Sequence, residues 1–320
     1  MPSSPTKRAR SRETALEQPG AYDAYWQPDD FAGQDQAASL QRPSQPPAIS
    51  NLYHYTTAAG LHGILSSGVL RASNFSFLND ATEFTYGRDV AKVALRNRLR
   101  ANQDTATIKQ LIERSLQRVD ERGAASEVYV TCFSTVGDLL SQWRAYGNAS
   151  GRYCIQFNTA AMWRDLAPLS RFSIGAVLYS DFDQAAAAER VLMKFLGESP
   201  LMWDFSTRDV IDRGSTILAD RLVRVAPLMK HAGFIEEAEW RAVAFNVDDE
   251  IEFDCTSGLL RPYMKLLSAE HFAKRRLPIS KIIVGAVQHH AQAIKAARLL
   301  ADKYGYRDVE VTGSNIPFRG

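Results

Sequence analysis

Strands and helices do not alternate along this chain, and that irregularity limits the folds open to it. Short runs dense in β-branched and aromatic residues, such as SEVYVTCFST at 126–135 and EWRAVAFN at 239–246, are separated by long helical insertions. A doubly wound parallel sheet places one crossover helix after each strand, so this order argues for an α+β fold. No Gly-x-Gly-x-x-Gly follows a strand and no Gly-Lys-Ser/Thr occurs, which counts against dinucleotide-binding and phosphate-loop architectures.

The order of elements can be read further. NLYHY at 51–55 predicts a strand, and Thr56 or Thr57 then caps a short helix stopped by Gly68. VLRAS at 69–73 predicts a second strand, and Asn79 or Asp80 caps a helix over 81–99. A polar helix covers 105–121, and DLLSQWRAYG makes a helical turn closed by Gly147. GRYCIQFN, a helix at 159–166, SRFSIGAVLYS, two helices over most of 183–232, EWRAVAFN, KIIVGA, a helix at 288–303 and DVEVTG complete the pattern. Residues 1–50 are rich in Pro, Gln, Ser, Ala and Asp and bury too little to offset their ordering entropy, so they read as a disordered tail. Residues 51–320 then form a single α+β domain, expected to be catalytic in type.

Composition excludes several classes. A formal net charge of +2 gives no global field for nucleic acid or membrane. No apolar run reaches the roughly eighteen residues of a membrane span, and the basic N-terminus has no apolar stretch behind it to make a secretory signal. The three cysteines, Cys132, Cys154 and Cys255, have no metal or disulfide spacing, so a cytoplasmic location is expected.

Three polar groups sit where packing does not call for them. His54 lies in the first strand between Tyr53 and Tyr55, and Ser134 and Thr135 end the strong strand VYVTCF. Glu236, Glu237 and Glu239 run straight into EWRAVAF. Each has a plainer explanation: a satisfied structural histidine, a turn-forming Ser-Thr pair, a solvated loop end. His271 and His289-His290 show no ligand spacing and read as surface residues.

Taken in order, these groups carry a resemblance. HYT at 54–56, LND with Glu83, CFS at 132–134, QWR at 142–144 with Tyr146-Gly147, Glu237-x-Glu239-Trp240-Arg241 and IPF at 316–318 resemble a widespread bacterial family of unknown function. More distantly, an aromatic-flanked histidine on a first strand, a Ser/Thr on a middle strand and a late glutamate resemble the ADP-ribosyltransferase superfamily. That resemblance implies a split β-sheet core with helical insertions. It also implies NAD as substrate, with His54, Tyr55 and Thr56 at the ribose and Ser134 and Thr135 ordering the site. Glu239 would stabilise the oxocarbenium-like transition state, with Glu237 beside it. The chain departs from one subclass in carrying His where that subclass carries Arg, and from another in carrying Thr56-Thr57 where a glycine-containing triplet is usual.

The chemistry behind this expectation is simple. Cleaving the nicotinamide–ribose bond builds positive charge on the ribose carbon, which a nearby carboxylate favours. On a strand, Glu237 would point the same way as Glu239 and could orient the acceptor. Arg144, Arg241 and Arg71 are candidates for the pyrophosphate, and Trp143 and Tyr146 offer stacking faces. The acceptor would be water or a macromolecule, protein or nucleic acid, and a toxin, effector or anti-phage role would bring a neutralising partner. Two rivals stand beside it: a nucleotide- or nucleic-acid-binding module without catalysis, and a metal-dependent hydrolase or nuclease using Asp80, Glu83, His54 and the glutamates.

Overall fold

A computed structural model describes residues 49–78, 82–146, 151–166, 172–202, 208–245, 250–256, 258–272 and 275–317. The tail expected over 1–50 falls almost wholly outside the described residues, as do Asn79, Asp80, Gly147 and Phe318.

The first strand, β1 (Asn51–Thr56), leads into α1 (Ala58–Ser67), where the Thr57 side chain accepts from the Gly60 N–H and Gly68 closes the helix in the left-handed region. A Cβ there would be strained, which is why glycine ends this helix. The chain continues through β2 (Val69–Asn74), α2 (Thr82–Ala101), α3 (Ala106–Ala124), β3 (Val128–Ser134) and α4 (Leu140–Tyr146). Next come β4 (Tyr153–Asn158), α5 (Thr159–Leu166), β5 (Ser173–Ala176), α6 (Asp181–Met202), α7 (Arg208–Val225) and β6 (Glu239–Phe245). The hairpin β7 (Glu252–Thr256) and β8 (Leu259–Ser268) precedes β9 (Ile279–Val284), α8 (His290–Lys303) and β10 (Glu310–Gly313). The α+β class is therefore as expected.

The strands form one mixed sheet ordered β10-β9-β4-β1-β3-β2-β8-β7, with β6 also on β3 and β5 on β6. Among the described strands, β9 and β10 alone pair in parallel. β6 takes one edge of β3 along its full length. The other edge is shared: β2 meets it at Tyr129 and Val130, and β1 meets it only at Ser134. Because β1 is paired to β4 throughout, the sheet parts into two halves joined by the single pair Tyr53–Ser134.

Each face of the sheet has its own core. Leu52, Tyr129, Phe133, Trp240 and Ala242 face one way and pack with α1 and α8 residues such as Leu61 and Ala297. Val128, Val130, Val243 and Phe245 face the other way, against Leu95 of α2, Leu111 of α3, Val191 of α6 and Leu222 of α7. Strand alternation produces this division directly.

The β7–β8 hairpin has no strand signal in the sequence. Pro262 interrupts β8, and Glu252, Asp254, Arg261 and Lys265 break the apolar pattern. Both features fit a sheet margin, where β7 is the last strand and Phe253 and Leu260 are exposed. Among the described residues no helix is long and apolar enough to cross a membrane.

Candidate functional site

Where β1 and β3 part, a cleft opens. Tyr53, His54 and Tyr55 line it from β1, Cys132, Phe133 and Ser134 from β3, Gln142 and Tyr146 from α4, and Glu237 and Glu239 close it at the head of β6. Its empty space, open solvent at the mouth included, is about 310 Å³.

The end of β3 fixes the glutamates. The Ser134 hydroxyl donates to the Glu237 carbonyl at 2.7 Å and accepts from the Val136 N–H at 3.1 Å, while the Thr135 N–H donates to the Ala238 carbonyl at 3.0 Å. Glu237 ends a short 3-10 helix, Ala232–Glu237, and Ala238 sits in the left-handed region with φ 45°. The strand begins only at Glu239. Strand alternation therefore does not bring the two carboxylates together, contrary to the expectation from their spacing. A buried lysine does.

Lys230 Nζ lies 2.6 Å from Glu237, 3.1 Å from Glu239 and 3.0 Å from Glu83 of α2. Arg241, two residues along β6 and on the same face as Glu239, grips that carboxylate with both arms of its guanidinium at 2.8 and 2.9 Å. It also donates to Glu83 and to the Pro227 carbonyl. Arg241 is 2% exposed, the Glu239 side chain 6% and the Glu237 side chain 21%. Three carboxylates against two cations leave one net negative charge under the cleft.

The two glutamates titrate in opposite directions. Burial works against ionised Glu239, but Arg241, then Lys230 and the Cys132 thiol, hold its pKa below the usual carboxylate range. Glu237 is pushed up, by burial first and then by the charges of Glu239 and Glu83, with Lys230 opposing. Glu239 is thus a fixed anion, and Glu237 is the carboxylate able to exchange a proton near the cleft. The Cys132 thiol, beside Glu239, is pushed well up, by burial first and then by that carboxylate, so it is no nucleophile.

His54 crosses the gap between the half-sheets. Its Nδ1 lies 2.9 Å from the Cys132 carbonyl, which can only accept, so Nδ1 carries the proton. Burial lowers the His54 pKa against the pull of that carbonyl, keeping the ring neutral. Nε2 then has a lone pair to offer. The Tyr55 hydroxyl donates to the Val136 carbonyl and accepts from the Leu139 N–H, and its ring meets Trp143 edge-on at 4.8 Å. Trp143 donates to Asp138 at 2.7 Å and is fully buried, so it is wall rather than stacking surface. Tyr146 is 37% exposed at the mouth. Its hydroxyl is pushed up by burial and then by the nearby Cys132, Glu239 and Glu237.

Other expected residues lie outside the cleft lining. Thr56 packs beside Gly60 at the end of β1, and Thr135 contributes its backbone to the glutamate turn. Arg144 is exposed on the last turn of α4. Arg71 pairs with Asp254 at 3.4 Å and lies over the Tyr263 ring, and Arg241 belongs to the buried cluster. Among the described residues no group of three or more His, Cys, Asp or Glu is arranged to hold a metal ion. Glu83 and both glutamates are already engaged by the two cations.

Residues 142–242 match the family model DUF2971, described as a protein of unknown function. The match supports the sequence resemblance to such a family. The DUF2971 segment runs from the first cleft residue of α4 into β6, so it contains Gln142, Tyr146, Lys230, Glu237, Glu239 and Arg241. His54, Ser134 and Glu83 meet that segment from outside it. No curated protein and no solved structure matches the chain.

Lys230 is a site residue with no signal in the sequence, and Gln142 and Cys132 belong to the cleft lining although their motifs assign them no role there. A lysine inside LMKHAG carries no local mark of burial. Only its meeting with α2 and β6 gives it a role.

Proposed function

We propose that this protein is an NAD-consuming enzyme of the ADP-ribosyltransferase type, cleaving the bond between nicotinamide and ribose. The observation that carries the reading is the convergence of His54, Tyr146, Glu237 and Glu239, from four separate elements, on one cleft where two half-sheets part. The net negative charge beneath that cleft favours a carbon that becomes cationic as nicotinamide departs. His54 Nε2 offers an acceptor to a ribose hydroxyl, and the Tyr146 ring offers a face to nicotinamide.

The reaction balances without a further co-reactant. The glycosidic C–N bond breaks, its electron pair leaves with nicotinamide, and an oxygen of water or of a macromolecular acceptor bonds to the ribose carbon. Glu237, with its raised pKa, takes the proton of that oxygen. Glu239, held ionised by Arg241 and Lys230, supplies field rather than proton transfer. The exposed Arg144 is the candidate for the pyrophosphate, which would lie outside the small cleft. The acceptor is protein, nucleic acid or water, and the setting is cytoplasmic, of the host or of a target cell, as a bacterial toxin, effector or anti-phage factor with a neutralising partner.

The test is release of nicotinamide from NAD by the full chain, with and without a bacterial lysate, while label from the adenylate half is followed onto macromolecules. Release with label on protein or nucleic acid supports transfer, and release without label supports hydrolysis. Folded protein that binds NAD without releasing nicotinamide would leave a binding module instead. Metal-dependent activity with no use of NAD would replace this reading by a hydrolase.

A further inference from the structure

Gln142 is a cleft residue whose side-chain amide has no partner among the described residues. It is 5% exposed and lines the cleft beside Tyr146, Glu237 and Glu239. Its amide makes no hydrogen bond to any described residue, whereas its neighbour Trp143 is fixed by Asp138 and Tyr55. Gln142 is not among the described residues whose side-chain polar atoms are sealed from solvent without a partner. The Gln142 amide is thus not shut in the core but opens into the cleft. A nearly buried amide that no described protein group serves is satisfied only from the cleft, so a ligand-facing role accounts for its position.

A glutamine amide presents a donor and an acceptor side by side, and its best complement is a group offering the same pair reversed. Resting on the ribosyl-donor reading above, we propose that Gln142 is the specificity-determining residue for the carboxamide of nicotinamide. Its NH₂ donates to the carboxamide oxygen, and its oxygen accepts from the carboxamide NH₂. The adenine edge offers a similar donor–acceptor pair. The nicotinamide end is favoured because the glutamates that would face the scissile bond share this cleft, and the cleft is too small for the whole dinucleotide.

The experiment compares the full chain with its Gln142→Leu and Gln142→Lys variants on three substrates. These are NAD, nicotinic acid adenine dinucleotide, in which a carboxylate replaces the carboxamide, and nicotinamide hypoxanthine dinucleotide, in which the adenine edge is changed. The native protein should favour NAD strongly over the acid analogue and use the hypoxanthine analogue as it uses NAD. Gln142→Leu should lower kcat/KM for NAD by about 10- to 100-fold and erase the discrimination. Gln142→Lys should shift preference towards the acid analogue, a gain that mere misfolding cannot produce. NAD turnover with discrimination unchanged in Gln142→Leu, or sensitivity to the hypoxanthine exchange instead, overturns the assignment while leaving the ribosyl-donor reading intact. Absence of NAD turnover by the native protein removes both.

Discussion

Two ionic clusters in this molecule use the same chemistry at different depths. On the helical side, Arg114 and Arg118 of α3 pair with Asp212 of α7, and Arg122 pairs with Asp220 at 2.5 Å. Those side chains stay partly exposed, 42% and 34% for the last pair. Beneath the cleft, Glu83, Lys230, Glu237, Glu239 and Arg241 are enclosed by α2, β3, β6 and the 226–228 turn. The first arrangement fastens two helices already packed through Leu111 and Leu222, and water competes with every bond. In the second, Glu83, Lys230, Glu239 and Arg241 are nearly shut from water and Glu237 opens on the cleft, so each buried charge depends on the others. One is a clasp, and the other sets the protonation of a site.

The largest expected effect breaks that buried dependence. Arg241→Met should cost about 3–5 kcal/mol of stability, because it strands Glu239 and Glu83 beside one remaining cation. Denaturant midpoints would show it. Gly87→Ala should cost about 1–3 kcal/mol, since its Cβ would lie 2.1 Å from the Ala226 carbonyl and push α2, with Glu83, away from Lys230. Asp220→Asn on the clasp should cost about 1 kcal/mol or less, and added salt should shrink even that difference. A clasp variant that matched Arg241→Met would erase the distinction between the two clusters.

Acid should separate them further. Glu239 has a depressed folded pKa, so its stabilising share is whole above the ordinary glutamate value of about 4.3 and is lost as pH falls through the depressed value. Glu237 runs the other way. Its folded pKa is raised, so turnover that needs it ionised should fall away at a pH above that of an ordinary glutamate. A pH–rate profile whose acid limb sat below the ordinary range would contradict Glu237 as the base.

Much of the fold was legible because local signals agreed with tertiary demand. Thr57 and Gly68 delimit α1 as their chemistry requires, and the dense Val, Tyr and Thr content of 128–131 marks the strand at the centre of the sheet. The hairpin at 252–268 was not legible, because Pro262 and alternating charges make a margin strand read as loop. His54, Ser134, Tyr146, Glu237 and Glu239 were singled out from sequence and do line or hold one cleft. Their division of labour was not visible there. The left-handed Ala238 turns Glu237 off the strand, and Lys230 reaches it from a segment whose sequence says nothing about depth.

The most direct test of the central claim puts Glu237→Gln and Glu239→Gln side by side, with nicotinamide release from NAD and denaturant midpoint read on the same samples. Glu237→Gln should lose about 100-fold or more in turnover with nearly native stability. Glu239→Gln should lose stability first, by about 3 kcal/mol, because it unties Arg241. Native turnover in Glu237→Gln, or a fully stable Glu239→Gln, would contradict the assignment of one glutamate to the chemistry and the other to its support.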